Sequence, residues 1–244
     1  MDRDTMVAKI QEKLGFRTTL VSNIQGALQD EQDELERGAT LPWFLLQEDQ
    51  IFPITPAIPA SATPQQYTLP TGFISEADDQ DGNLRLQLKT PGPQTFIEKM
   101  DYREAEEFFF ATRKVWWDGT EIVTQSPQAP PTPGQPKIYV LRKTQVRIYP
   151  GPDKVYNLLW TFYAHDTRLD GGNVTNQWST NIPWLLIGRA GIKMAMSTRD
   201  KDALGAFQAI LQGAPGFAGA EKTYLAMLYD REIGGRRYSM GRKL

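Results

Sequence analysis

The residues able to do chemistry are few and badly spaced for it. Cysteine is absent and His165 is the one histidine. That excludes thiolate nucleophiles, cysteine metal sites and zinc sites needing several imidazoles. His165 stands beside Asp166 at the expected end of a strand, the beginnings of a nucleophile, base and acid arrangement. No G-x-S-x-G elbow presents a serine to it, so a histidine satisfied at a strand end is the better reading. Glu104, Glu106 and Glu107 with Asp101 offer carboxylates. A glycosidase needs two of them flanking a bond about 5 to 10 Å apart, and neighbours on one short helix point to different faces.

Two loop patterns also fail on spacing. Asp78-Asp79-Gln80-Asp81-Gly82 has the look of a calcium loop. Aligning Gly82 with that loop's glycine leaves Ala77 and Leu88 where carboxylate ligands belong, so an acidic turn is expected. Gly213, Gly216 and Gly219 precede Lys222-Thr223, but Glu221 breaks the glycine-lysine pair a phosphate loop requires. The expected catalytic, cofactor and metal sites are therefore none.

The elements that would position any site alternate in character along the chain. Thr5 is the expected N-cap of a helix carrying Met6, Val7, Ile10 and Leu14, with Gly15 as its stop. A second helix from Thr18 or Thr19 carries Leu20, Ile24, Ala27, Leu28 and Leu35 and ends at Gly38. Its other face holds Asp30, Glu31, Asp33, Glu34 and Glu36, which cannot be buried together without a large desolvation penalty and should face water or a charged partner.

Prolines at 53, 56, 59, 64 and 70 end helical texture. Strands are expected at Gln65–Leu69 and at Leu84, Leu86 and Leu88, with a short helix at Asp101–Phe110. The proline-rich stretch Ser126–Pro136 reads as a surface loop. The strongest β pattern is Ile138 and Val140, Val146 and Ile148, then Tyr156, Leu158, Trp160 and Phe162, expected as an antiparallel meander. Helices return after Asn176: one opened by Pro183 and apolar on all sides, one capped by Asp200 and stopped by Gly213, and one through Tyr224, Leu225, Leu228, Tyr229 and Ile233 to Gly234-Gly235. No internal repeat is visible.

The expected fold class is α+β: an α-helical bundle formed by N- and C-terminal helices with an inserted antiparallel β domain. The expected divisions are 1–48, 49–170 and 171–233, followed by an extended tail, 234–244. The 244 residues are 40% hydrophobic and 11% aromatic, enough for a true core. Net charge is −2 and the isoelectric point about 5.6, so a phosphate-binding surface would have to be local. No apolar run approaches the roughly 20 residues of a spanning helix, and no signal peptide is apparent, so a protein made and kept in the cytoplasm, without membrane contact, is expected.

The order of these features resembles head-to-tail adaptor (connector) proteins of tailed bacteriophages. The likeness rests on Leu41-Pro42-Trp43-Phe44 after the second helix, Tyr67-Thr68-Leu69-Pro70 with Gly72-Phe73, and Ile138-Tyr139 through Arg147-Ile148-Tyr149-Pro150-Gly151-Pro152-Asp153 to Phe162-Tyr163. Asn176, Trp178 and Pro183–Arg189 continue it. The resemblance implies a structural virion protein rather than an enzyme: a ring, commonly of twelve copies, joining the portal to the tail at the neck and continuing the DNA channel. It implies as partners the portal, a downstream tail or nozzle protein, and viral DNA passing without sequence-specific contacts. It also implies a C-terminal segment that reaches the portal. Here that segment holds Arg236, Arg237, Tyr238, Met240, Arg242, Lys243 and Leu244, basic residues interspersed with anchor types. A tail-associated binding module and a cell-wall glycoside hydrolase are the alternative readings.

Overall fold

The computed structural model describes residues 1–38, 41–57, 65–77, 86–89, 95–105, 113–117, 120–125, 133–170, 172–214 and 217–228. The chain folds as α+β in two compact units. One comprises Met1–Leu46 and Ala164–Leu244, the other Gln47–Tyr163. Residues 164–170, expected with the strands, pack with the helices.

In the helical unit α1 spans Arg3–Lys13 and α2 spans Val21–Glu36, entered through a 3-10 turn at Thr18–Leu20. Three further helices follow the strands: α3 (Gln177–Asn181), α4 (Pro183–Thr198) and α5 (Lys201–Gln212). Of the expected last helix, 220–228 is described and helical (α6), and Tyr229, Ile233 and Gly234-Gly235 lie outside the described residues. The N-cap of α1 is Asp2, not Thr5; its carboxylate accepts the Thr5 N–H at 2.6 Å, because Asp2 is the residue that precedes the first helical turn. Met6, Ile10 and Leu14 are buried as their spacing requires, and Gly15 takes the left-handed stop at φ 74°.

Helix α4 is the hub, packing against α1, α2, α3 and α5. It is not apolar all round: Leu185, Leu186, Ile187 and Met194 are buried, while Trp184 and Met196 are exposed and Arg189 and Lys193 lie toward α2. Two glycines set how near α5 comes. A Cβ on Gly188 would collide with Leu211, and one on Gly191 with the Phe207 ring. Asp200 caps α5 by accepting the Ala203 N–H, and Gly213 ends that helix at φ 88°, both as expected.

The strand unit contains two larger sheets. One places β11 (Tyr156–Ala164) beside β1 (Leu46–Ile54), β3 (Phe73–Glu76) and β4 (Gln87–Leu88), with β5 (Thr95–Phe96) beyond β4. The other runs β2 (Gln65–Thr68), β10 (Gln145–Tyr149), β9 (Ile138–Arg142) and β6 (Glu98–Lys99). A separate hairpin pairs β7 (Arg113–Trp117) with β8 (Thr120–Gln125). The expected meander is thus half right: β9 and β10 form an antiparallel hairpin, but β11 belongs to the other sheet. Pro150 and Pro152, which lack N–H donors, end the ladder between them. Of the expected strand around Leu84–Leu88 only Gln87–Leu88 pairs, and Leu84 lies outside the described residues.

The sheets of this unit meet at aromatic side chains. Trp160, fully buried, has the rings of Phe52, Phe73, Phe162 and Tyr139 with centroids 5.2–6.5 Å away. Glu76 satisfies the polar tips: its carboxylate accepts from Tyr139 Oη at 2.8 Å and Trp160 Nε1 at 3.2 Å, and pairs with Lys99 Nζ at 2.6 Å. A buried indole or phenol retains its hydrogen bond in this way at no cost to packing. Of the expected Asp101–Phe110 helix residues 101–105 are described, and 102–105 are helical, with Asp101 accepting the Arg103 N–H. The loop Ser126–Pro136 is described only from Pro133.

The glycines of α4 give the first prediction. Gly191→Ala should destabilise the protein by about 1–3 kcal/mol through overpacking. Gly205→Ala, on α5 with open space around the added methyl, should be neutral or stabilising by roughly 0.5–1 kcal/mol. Denaturant unfolding of the two variants measures the contrast.

Candidate functional site

The acidic side of α2 is where the sequence and structure diverge most. Glu36, in the last turn of α2, is 2% exposed. Its Oε1 accepts from Trp178 Nε1 at 2.8 Å, from Gln32 Nε2 at 3.0 Å and from the Asp166 N–H at 3.4 Å. Its Oε2 lies 2.6 Å from His165 Nδ1. A carboxylate can be held away from water only if donors replace its hydration, and here four groups do so.

Gln32, one turn earlier and fully buried, extends the network. Its Nε2 donates to the carbonyls of Asp166 and Thr167, and its Oε1 accepts from Asn176 Nδ2 at 2.9 Å. Asn176 in turn caps α3: its Oδ1 accepts the Ser179 N–H, while Ser179 Oγ accepts the Asn176 N–H, a reciprocal capping box. Asp166 also serves α3, its Oδ2 accepting the N–H groups of Gln177 at 2.6 Å and Trp178 at 3.3 Å. Burial pushes the Asp166 carboxyl above its ordinary value of 3.8; the backbone N–H bonds from Thr167, Trp178 and Gln177 oppose this, and the Glu36 charge adds to it.

The segment from His165 to Asn176 is strapped down along its length. Gln29 Nε2 donates to the Leu169 carbonyl at 2.9 Å, Arg168 pairs with Asp33, and the Arg3 guanidinium donates to the Asp170 carbonyl. Further along α2, Glu31 is buried against α4, with Lys193 Nζ at 2.6 Å and Arg189 NH1 at 3.8 Å. The Glu31 hydrogen bond holds the Lys193 ammonium above the ordinary lysine value. The expectation that the five acids all face water or an outside partner is therefore corrected. Glu31 and Glu36 are internal because α4 and the 165–178 segment supply their counter-groups, while Asp30 and Glu34 stay exposed.

The same unit carries an open apolar groove of about 420 Å³. Ile182, Pro183 and Trp184 at the start of α4, Ile210 on α5, and Ala220 and Thr223 on α6 line it. Lys9 Nζ sits 5.1 Å from the centroid of the Trp184 ring. Among the described residues no group of three or more acidic, histidine or cysteine side chains could hold a metal, and no helix is long and apolar enough to cross a membrane.

This arrangement is a scaffold of helices closed by buried polar groups, and comparison with known families agrees. The family model described as SU10 adaptor protein matches residues 1–237. The chain belongs to the SU10 adaptor protein family. No curated protein matches it. The expected likeness to phage head-to-tail adaptors is borne out at the level of the family and of the α+β fold.

The adaptor disposes of the sequence's candidate chemistry in specific ways. His165 and Asp166 are brought together with Glu36 and the N-terminus of α3, where they serve structure. Glu104 is exposed in the helical turn at 102–105, and Glu106 and Glu107 lie outside the described residues. So does Asp78–Gly82. Gly213 opens a small pairing of β12 (Gly213–Ala214) with β13 (Phe217–Ala218), Gly219 follows it, and Gly216 is outside the described residues. The tail residues Arg236, Arg237, Tyr238, Met240, Arg242, Lys243 and Leu244 all lie outside them too. Gln32, Asn176 and Trp178 were not singled out as a site from sequence. The available signals were the Asn176–Ser179 spacing of a capping box and the i, i+4 pair Gln32 and Glu36 flanking the apolar stripe of α2.

Glu36→Ala should destabilise the adaptor by roughly 3 kcal/mol, since it leaves buried donors unpaired. His165→Asn should cost under about 1 kcal/mol, because that imidazole is half exposed. A double-mutant cycle of Glu36→Gln with Trp178→Phe in urea should return a coupling of about 1.5–3 kcal/mol. The raised Asp166 value adds a pH signature. The native state holds that proton more tightly than the unfolded chain, so the contribution of Asp166 is largest below pH 3.8 and declines as pH rises through the higher native value. Asp166→Asn should flatten this acid-range component in melts taken across pH.

Proposed function

We propose that the chain is one subunit of a ring that joins the portal to the tail at the virion neck and continues the DNA channel, commonly with twelve copies. The observation that carries this reading is the family match over residues 1–237, nearly the whole chain. The helical unit supports it in physical terms. Segments from both sides of the strand unit are bonded into one body by internal polar groups, and that body leaves Trp43 53% and Trp184 45% exposed, together with Met196 and Leu225. Large apolar side chains in water are a favourable source of free energy for association with identical copies and with a portal.

The tail is proposed as the portal-binding segment. Arg236, Arg237, Tyr238, Met240, Arg242, Lys243 and Leu244 combine positive charge with anchor side chains, whose contacts on a partner would offset the entropy lost in ordering such a segment. Arg236 and Arg237 fall inside the family match and Tyr238 to Leu244 beyond it. DNA would pass without sequence-specific contact, which calls for walls that do not bind phosphates strongly. A downstream tail or nozzle protein is proposed as the other partner.

The test is the mass and size of the purified protein with and without purified portal. Ring-sized complexes should form with the portal. Deleting Arg236–Leu244 should abolish that binding while the melting profile stays unchanged. Binding that survives the deletion would remove the tail assignment, and a particle map lacking this chain at the neck would remove the adaptor reading.

A further inference from the structure

We propose that the tip of the β9–β10 hairpin is a docking point for an acidic peptide segment of a partner protein, with the Arg142 guanidinium as its carboxylate-binding fork. This inference goes beyond the adaptor reading and stands or falls independently of the ring and of the portal.

Strand register builds the site. β9 and β10 pair with Arg147 opposite Val140 and Gln145 opposite Arg142. Side chains alternate along a strand, so Ile138, Val140 and Arg142 share one face with Arg147 and Tyr149. The helical turn at 102–105 covers part of that face: Ala105 is buried with Ile138, Val140 and Tyr149, and Tyr102 packs against this cluster. Arg147 then fixes the tyrosine. Its Nη1 reaches Tyr102 Oη at 3.5 Å, and its guanidinium carbon lies 5.1 Å from the ring centroid. Gln66, with its side-chain carbonyl turned toward Arg147, accepts from Nη2 at 2.7 Å and from Nε at 3.1 Å.

Arg142 uses the same ring differently. Its guanidinium carbon is 4.8 Å from the Tyr102 centroid. The residue is exposed, and among the described residues its guanidinium makes no hydrogen bond or ion pair. Stacking restricts the side chain while leaving the N–H donors at the edge of its plane open to water. Surface ion pairs are weak largely because two long side chains must be ordered to form them. Here one of the two is ordered beforehand, so a bidentate carboxylate gains the pair without that loss. Lys143, exposed and next in the chain, takes the turn at φ 47° and places a second positive charge beside the fork. The Thr144 carbonyl accepts the Leu69 N–H at 3.1 Å and ties the tip down.

Local charge selects the guest. Nucleic-acid affinity grows with the number of phosphates neutralised. Of the two arginines on Tyr102, Arg147 is engaged within the sheet, and Asp101 and Glu104, both exposed, flank Tyr102 in the chain. A run of phosphates laid across the tip would meet those carboxylates. A single glutamate or aspartate side chain meets only the fork and Lys143. A protein segment carrying spaced carboxylates is therefore the guest that this surface fits.

The probe is a blocked tetraglutamate peptide, added to the isotope-labelled full chain while the arginine Nε–Hε signals are followed by NMR. The Arg142 signal should shift and saturate at roughly millimolar peptide. Arg142→Lys, which keeps the charge and loses the fork at an exposed position, should weaken binding at least about fivefold. Tyr102→Leu should weaken it comparably, and Tyr102→Phe, which keeps the ring, should not. No saturable shift at Arg142, an unchanged affinity in Arg142→Lys, or tighter binding of single-stranded oligothymidylate than of the peptide would each overturn the proposal. So would an Arg142 signal that moves with protein concentration alone, which would assign the tip to a second copy.

Discussion

A carboxylate removed from water must be given donors, and at Glu36 all but one of them come from residues more than a hundred positions later in the chain. Trp178, His165 and the backbone of Asp166 close on it, Gln32 donates to it from one turn earlier, and Asn176 in turn donates to Gln32. The consequence is topological. α1 and α2 are short helices with one-sided apolar stripes, too short to persist by themselves in water. They become part of a stable body only when the returning chain brings α4 against them and places the 165–178 segment over the end of α2. The polar network fixes that register, because any displaced pairing would leave Glu36 or Gln32 buried without partners.

The strand unit solves its own version of the same problem. Trp160 fills the space between facing strands, and Glu76 receives the polar ends of Trp160 and Tyr139, with Lys99 balancing its charge. In both units, therefore, a glutamate accepts an indole N–H, Glu36 buried and Glu76 partly so. For a protein whose family role is structural, this division is informative: buried polar residues hold the fold, and Trp43 and Trp184 stay exposed.

Much of this was legible in the sequence, for identifiable reasons. Helix spacing at Met6, Ile10 and Leu14, proline at the first turn of α4, Asp200 as a cap and glycine stops at 15 and 213 are local devices, and local devices are read locally. The β9–β10 hairpin is similarly close in sequence. What could not be read is long-range. The burial of Glu31 and Glu36 depends on Lys193 and Trp178, and sequence hydropathy assigns acids to water by default. The place of β11 in a separate sheet depends on partners β1, β3 and β4, far away along the chain, whereas adjacency suggested β10. The cap of α1 was misplaced by three residues because Asp2 and Thr5 are both good capping types, and only the backbone shows which one precedes the first turn.

The central claim is that chain segments on either side of the strand unit unfold as one cooperative helical body, clasped at Glu36. Native-state hydrogen exchange of the intact protein and of Glu36→Gln measures this most directly. The account predicts that amides in α2 and in α4 lose protection together and by the same factor in the variant. Loss confined to the last turn of α2, with α4 exchanging as before, would contradict it.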